Sequence, residues 1–110
     1  MDVHAELRAL ASPRRREILR LVWREPRAAG DVHRALGDVT FGAVSQHLKV
    51  LTEAGLVTCT RAGRQRLYAA RRDAAGPLRR WLEREWDDAL YQLKLRAELE
   101  EARRGPRSQQ

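Results

Sequence analysis

The sequence holds a single cysteine, Cys59, in 110 residues, so no disulfide can form within the chain. That usage fits a reducing compartment better than a stapled secreted scaffold. Long apolar runs are missing too. Nothing approaches the roughly 20 residues of a membrane-spanning helix, and the opening MDVHAELRALASPRRR has no apolar stretch like that of a secretory leader. These absences point to a soluble, cytoplasmic protein with no membrane partner. Lysine is confined to Lys49 and Lys94, so nearly every cation is arginine. A GC-rich genome alone produces that bias, and no weight rests on it. The three histidines, His4, His33 and His47, are scattered. With one cysteine they form no thiophilic or tetrahedral metal set, which needs several ligands in one place. No metal and no cofactor is expected. Cys59 falls in strand-like sequence, where a lone cysteine is ordinarily a small buried residue, and no second cysteine is present to resolve a sulfenic acid. Catalytic chemistry is missing as well: no nucleophile–base pair at workable spacing and no phosphate loop. Asp87 and Asp88 are adjacent on a helix and point about 100° apart, a poor paired-carboxylate site. An enzyme is therefore not expected.

What is present is positive charge and helical patterning. Lysine and arginine outnumber aspartate and glutamate 22 to 15, a formal charge of +7. Such a balance favours an anionic partner, most often nucleic acid. A chain this short reads as one domain with a modest core. Residues 3–10 (VHAELRAL) form a short first helix. Ser12 can cap the second, Pro13 suits its first position, and Ile18, Leu19, Val22 and Trp23 give its buried stripe before Pro26 breaks it. A third helix runs from Ala28 to Leu36 with Val32 and Leu36 inward, and Gly37 ends it. Thr40 can cap a fourth helix over 41–54, which Gly55 ends. Leu56–Thr60 and Arg66–Ala70 have strand composition. Between them Arg61-Ala62-Gly63-Arg64 reads as a turn with glycine at its corner. A long helix over about 73–104 follows, with Pro77 in its first turn, and 105–110 reads as a disordered tail.

Helix, turn, helix, strand, basic tip, strand is the order of a winged helix-turn-helix. The fold class is accordingly mainly α with a small β-hairpin (α+β), in one domain over 1–104. On the fourth helix Val44, Leu48 and Leu51 share one side. Gly42, Gln46 and Lys49 lie opposite, with Ser45 flanking them. Small polar residues on an exposed helix face backed by apolar ones suit entry into the DNA major groove. Gln46 can pair with adenine through N6 and N7, and Lys49 can reach guanine or phosphate. Gly42 lets the backbone approach the groove floor, while Ser45 can donate to a base edge or a phosphate. His47 projects towards the stripe, where it either holds the helix against its neighbours or touches DNA. Thr40, at the helix start, is included among the DNA-facing candidates. Arg61, Arg64 and Arg66 surround the hairpin tip, and a narrow minor groove attracts arginine. Arg14, Arg15 and Arg16 cluster at the start of the second helix, where a helix N-terminus already favours phosphate. Arg14 is taken as the backbone clamp; the cluster is equally readable as a charged surface paired with Glu17.

Leu78, Trp81, Leu82, Trp86, Ala89, Leu90, Leu93 and Ala97 form a wide apolar stripe on the last helix. At 1.5 Å per residue a helix of about 30 residues is about 45 Å long, against a radius of gyration of about 13 Å for a domain of this size. The domain alone cannot cover it. The expectation is a twofold homodimer through Leu78, Trp81, Leu82, Trp86, Leu90 and Leu93, joined by the first helix. It would place two recognition helices about 34 Å apart. A rival reading keeps the winged helix as a scaffold and uses the long helix to bind another protein.

SPRRREILRLV, VSQHLKVLTEAGLV and GRQRLY resemble the ArsR-type winged-helix repressors, over roughly residues 5 to 95. The resemblance implies a homodimeric transcriptional regulator, usually a repressor that releases its double-stranded DNA operator when a signal arrives. Ser45, Gln46, His47 and Lys49 match the family's recognition helix, and Arg64 and Arg66 its wing. Metal sensors of the family carry cysteines in the third helix, where this chain has AAGDVHRAL, or histidine-containing ligand sets on the last helix, where this chain has Asp87 and Asp88 without histidine. The chain therefore resembles the branch that does not sense metal, with WLEREWDDALYQLK in its last helix, and any small-molecule effector is left open.

Overall fold

The computed structural model describes residues 3–76 and 78–104. Its elements, in order, are α1 (Val3–Leu10), α2 (Pro13–Leu21), β1 (Arg27–Ala28), α3 (Ala29–Leu36), α4 (Phe41–Glu53), β2 (Val57–Ala62), β3 (Gln65–Ala70) and α5 (Leu78–Arg104). The chain divides into two units, Met1–Arg79 and Arg80–Gln110. The first holds the three-stranded antiparallel sheet, ordered β1-β3-β2. Five helices and this sheet are the winged helix-turn-helix expected from the sequence, with its long C-terminal helix.

Local chemistry sets most boundaries. The Ser12 hydroxyl accepts from the Arg15 amide, and Pro13 takes a first-turn position where its missing N–H costs nothing. Thr40 caps α4 in the same way, accepting from the Ala43 amide at 3.0 Å. At the far end of α4 the Leu56 amide bonds Leu51 O and the Gly55 amide bonds Thr52 O, both at 3.0 Å. This paired closure needs a left-handed residue, which Gly55 supplies at φ 79°. Leu51 and Leu56, joined by that closure, are both buried.

The core of the first unit gathers one apolar stripe from each helix with the start of the hairpin. Ile18 and Leu19 of α2, Val32 of α3, Val44, Leu48 and Leu51 of α4, and Leu56 and Val57 are all at most 2% exposed. Val22 and Trp23 are also buried, although α2 ends at Leu21 and both lie beyond it.

Three expectations need correction. β1 was not foreseen. Arg27 and Ala28 pair with Tyr68 and Leu67 of β3, so α3 begins at Ala29 and the hairpin is the larger part of a three-stranded sheet. The hairpin itself is longer than its composition suggests. The strands run to Ala62 and from Gln65, leaving a two-residue loop. Gly63 at φ 65°, followed by a residue at negative φ, is the type II′ pattern that matches strand twist. Arg61 is thus in the ladder and not in the turn, directly opposite Arg66, which the sequence already placed in the returning strand. Third, α5 starts at Leu78 and not near Asp73. Residues 72–76 form turns, closed by Ala74 N to Arg71 O and Gly76 N to Asp73 O, with Gly76 at φ 53°. Pro77 and the tail 105–110 lie outside the described residues. Among the described residues no helix is long and apolar enough to cross a membrane.

Candidate nucleic-acid interface

The outer face of α4 emerges as the wheel predicted. Gly42, Ser45, Gln46 and Lys49 are exposed, while Val44, Leu48 and Leu51 hold the helix from behind. Thr40, also exposed, ends this face at the capped N-terminus. Gly42 is informative because the fold does not require it. A Cβ added there would meet only Thr40 Oγ1, at 4.0 Å. The outward position at Gly42, in the first turn of α4, is therefore open to a larger side chain.

His47 sits apart from that face. It is half-buried, and its Nδ1 lies 3.4 Å from an Arg15 guanidinium nitrogen. Burial lowers the imidazole pKa below its ordinary 6.5, and the charges of Arg15 and then Arg14 lower it further. A neutral ring with Nδ1 as acceptor is the form that fits, because the guanidinium can only donate. The contact links His47 of α4 to Arg15 of α2.

Arg15 does more than the sequence suggested. Its Nε donates to Ala9 O at 2.7 Å and one terminal nitrogen donates to Arg8 O at 3.2 Å. Arg16 donates to Leu10 O at 2.8 Å. Both cations therefore satisfy the end carbonyls of α1, where a helix dipole favours positive charge. Arg15 thus joins α1, α2 and α4 through one side chain. Arg14 is the outlying member, bonded to Asp38 in the turn between α3 and α4 at 3.0 Å. Glu17 pairs with Arg20. Asp38 was not singled out in the sequence, and a partner 24 residues away has no local signal.

On the hairpin Arg61, Arg64 and Arg66 are all exposed. Arg61 and Arg66 are cross-strand partners, an arrangement that is destabilising for like charges. Cys59 faces Tyr68 in the same ladder and is exposed, correcting the expectation of a buried thiol. The Tyr68 hydroxyl pKa is raised, first by burial and then by its hydrogen bond with Cys59. A strand that leaves the core after Val57 explains the exposure, because every later residue of β2 is exposed.

Along α5, Trp81 is 45% exposed, Leu90 66% and Leu93 61%, Trp86 and Leu78 are half-buried, and Leu82 is buried. The predicted stripe left out Tyr91, Leu95 and Leu99, which are also exposed; Tyr91 and Leu95 lie on another side of the helix, and Leu99 falls in line with Trp81. Among the described residues no group of three or more histidine, cysteine, aspartate or glutamate side chains is placed to hold a metal ion.

Residues 10–60 match the family described as Helix-turn-helix domain. The chain is 43% identical over 82 residues to the HTH-type transcriptional regulator Rv2034 of Mycobacterium tuberculosis, covering 74% of this chain and 76% of that protein. It is 32% identical to the structure of an ArsR-like transcriptional regulator from Rhodococcus sp. RHA1, with a TM-score of 0.63, covering 86% of this chain and 91% of that one. The chain belongs to the ArsR family of winged helix-turn-helix regulators. Another ArsR-type neighbour is Mb0332 from Mycobacterium bovis, described as a homodimeric winged helix-turn-helix DNA-binding domain and a possible ArsR-family regulator. It has 30% identity and a TM-score of 0.65, and the match covers 79% of this chain and 77% of that one. Members of the family are transcriptional regulators built on a DNA-binding winged helix, and the motifs SPRRREILRLV and VSQHLKVLTEAGLV lie within the matched region.

Proposed function

We propose that this ArsR-type chain is a cytoplasmic, sequence-specific repressor that binds double-stranded operator DNA as a homodimer. The observation that carries the reading is the outward face of α4, small, polar and exposed beside a hairpin with three exposed arginines. In this reading Gln46 reads a base edge, Lys49 a guanine or phosphate, and Ser45 and Thr40 nearby polar atoms, while Gly42 lets the backbone approach. His47 serves as a positioning residue, holding α4 to Arg15. Arg61, Arg64 and Arg66 meet the backbone or minor groove, and Arg14 exchanges Asp38 for a phosphate.

The dimer is formed by one domain over 1–104, through α5 with Leu78, Trp81, Leu82, Trp86, Leu90 and Leu93. Support comes from the exposed apolar side chains of α5 and from the homodimeric Mb0332 domain. Leu7, on the α1 helix expected to join the dimer, is also 47% exposed. We assign the chain to the branch that does not sense metal, because its third helix has no cysteine and its last helix no histidine. The same exposed side chains of α5 favour one second reading, a protein-interaction module on a winged-helix scaffold.

Fluorescence anisotropy separates the two. Metal-free protein is titrated onto DNA from its own upstream region, with scrambled DNA as competitor, across a salt series that includes about 0.15 M, where nonspecific binding is weak. Nanomolar binding that survives competition is expected. Weak binding equal on both DNAs overturns the repressor reading in favour of the interaction module.

A further inference from the structure

Phe41 is the first residue of α4 and its side chain is 50% exposed. Outside α5, the exposed large apolar side chains among the described residues are Leu7 and Phe41. A ring left in water forgoes the stabilisation of burial, and the core face of α4 is already complete with Val44, Leu48 and Leu51. The ring is nevertheless not loose. It stands edge-on against His33 of α3, with centroids 5.8 Å apart and planes at 80°, a preferred aromatic geometry that holds it in one orientation.

Position adds to exposure. Helical side chains tilt towards the N-terminus, so the ring projects past the capped end of α4. On the helical wheel it lies between Leu48 of the inner face and Ser45 of the outer one, and its chain neighbour Gly42 has no side chain. The N-terminal residues of a groove-bound helix are the ones that reach base edges.

We propose that Phe41 is a specificity-determining residue, its ring packing on the C5 methyl of one thymine in each half of the operator. The inference rests on the reading of α4 as the groove helix. Phenylalanine has no donor or acceptor, so it cannot sort bases by hydrogen bonds. Among the major-groove edges only thymine presents a methyl group, and an ordered apolar ring recognises it by excluding water. Cytosine at that position lacks the methyl and is disfavoured.

The test begins with sites selected from random DNA by the full chain. Each thymine of the selected site is then replaced singly by deoxyuridine, which removes only the methyl. For the wild type, one position per half-site should weaken binding about 4-fold, as expected for burial of one methyl-sized group. Phe41→Ala should lose that sensitivity at the same position and keep the rest of the profile. A second measurement needs no variant. With 5-iodouracil at the sensitive position, irradiation should cross-link the wild-type protein at Phe41, identified by mass spectrometry of the peptide. Equal uracil penalties in wild type and Phe41→Ala, no sensitive thymine, or a cross-link to another residue overturns the role of Phe41 alone. Failure to select any site removes the groove reading of α4, and this inference with it.

Discussion

Replacing Arg61 with glutamine should make the fold more stable and the protein a weaker binder of DNA. Arg61 lies directly opposite Arg66 in the β2–β3 ladder, and both are exposed. Cβ atoms of such a pair are about 4.5–5.5 Å apart, and interactions between directly opposed residues amount to about 0.2–1 kcal/mol, here unfavourable. Glutamine keeps most of the stem and removes the charge, so packing changes little. The gain should therefore be electrostatic. Because screening lengths shorten from about 30 Å at 0.01 M salt to about 3 Å at 1 M, it should approach the upper figure at low salt and vanish at high salt. Urea unfolding reads it directly: with an m-value of about 1–3 kcal/mol per molar, the midpoint should rise by a few tenths molar at low salt. DNA binding should change in the opposite sense. Each lost phosphate contact flattens the slope of log K against log salt by about 0.9, or about 1.8 for a dimer that loses two. A midpoint that falls, or a gain that persists at 1 M salt, would refute the like-charge argument. A salt slope identical to wild type would remove Arg61 from the DNA interface.

Gln46→Ala should cost about 1–3 kcal/mol on the cognate site and relax preference at one base; equal losses on cognate and random DNA, measured by competition anisotropy, would contradict base reading. His47 predicts an acid-side loss of stability. Its pKa is lowered in the folded state by burial, Arg15 and Arg14, so above about 6.5 both folded and unfolded forms are neutral. As pH falls from there through the lowered folded value, the unfolded chain takes up the proton first and stability is lost. Urea midpoints between pH 5 and 8 should show that loss in wild type, and His47→Asn should lessen it. Leu93→Asp places a charge on a side chain that is already 61% exposed. It should yield folded monomers in sedimentation, and a stable dimer would move the interface elsewhere.

The helices were legible because their signals are local. Ser12-Pro13, Thr40 and Gly55 mark ends by chemistry confined to four or five residues, and Val44, Leu48 and Leu51 declare their common face by spacing alone. β1 had no such signal. Two residues are too few to show alternation, and Arg27 and Ala28 become a strand only because β3 lies beside them. The start of α5 was read too early because Asp73-Ala74-Ala75 has acceptable helical composition, while Gly76 takes a positive φ that interrupts it. At the candidate site the exposed residues of α4 were visible from the wheel. The contacts of Arg14 with Asp38 and of Arg15 with His47 were not, since they span 24 and 32 residues. Cys59 shows the limit of a composition rule: lone cysteines are usually buried, but this one occupies a strand that has already left the core.

The two faces of α4 share no residue. Val44, Leu48 and Leu51 anchor the helix, whereas Gly42, Ser45, Gln46 and Lys49 are exposed to solvent. Surface changes away from caps and cores usually alter stability by no more than about 0.5 kcal/mol. A duplicated copy of this gene could therefore wander through many combinations at those four positions while remaining folded. New targets become reachable by single steps, without passing through an unstable intermediate, and the same separation makes the helix a ready scaffold for retargeting by a small library.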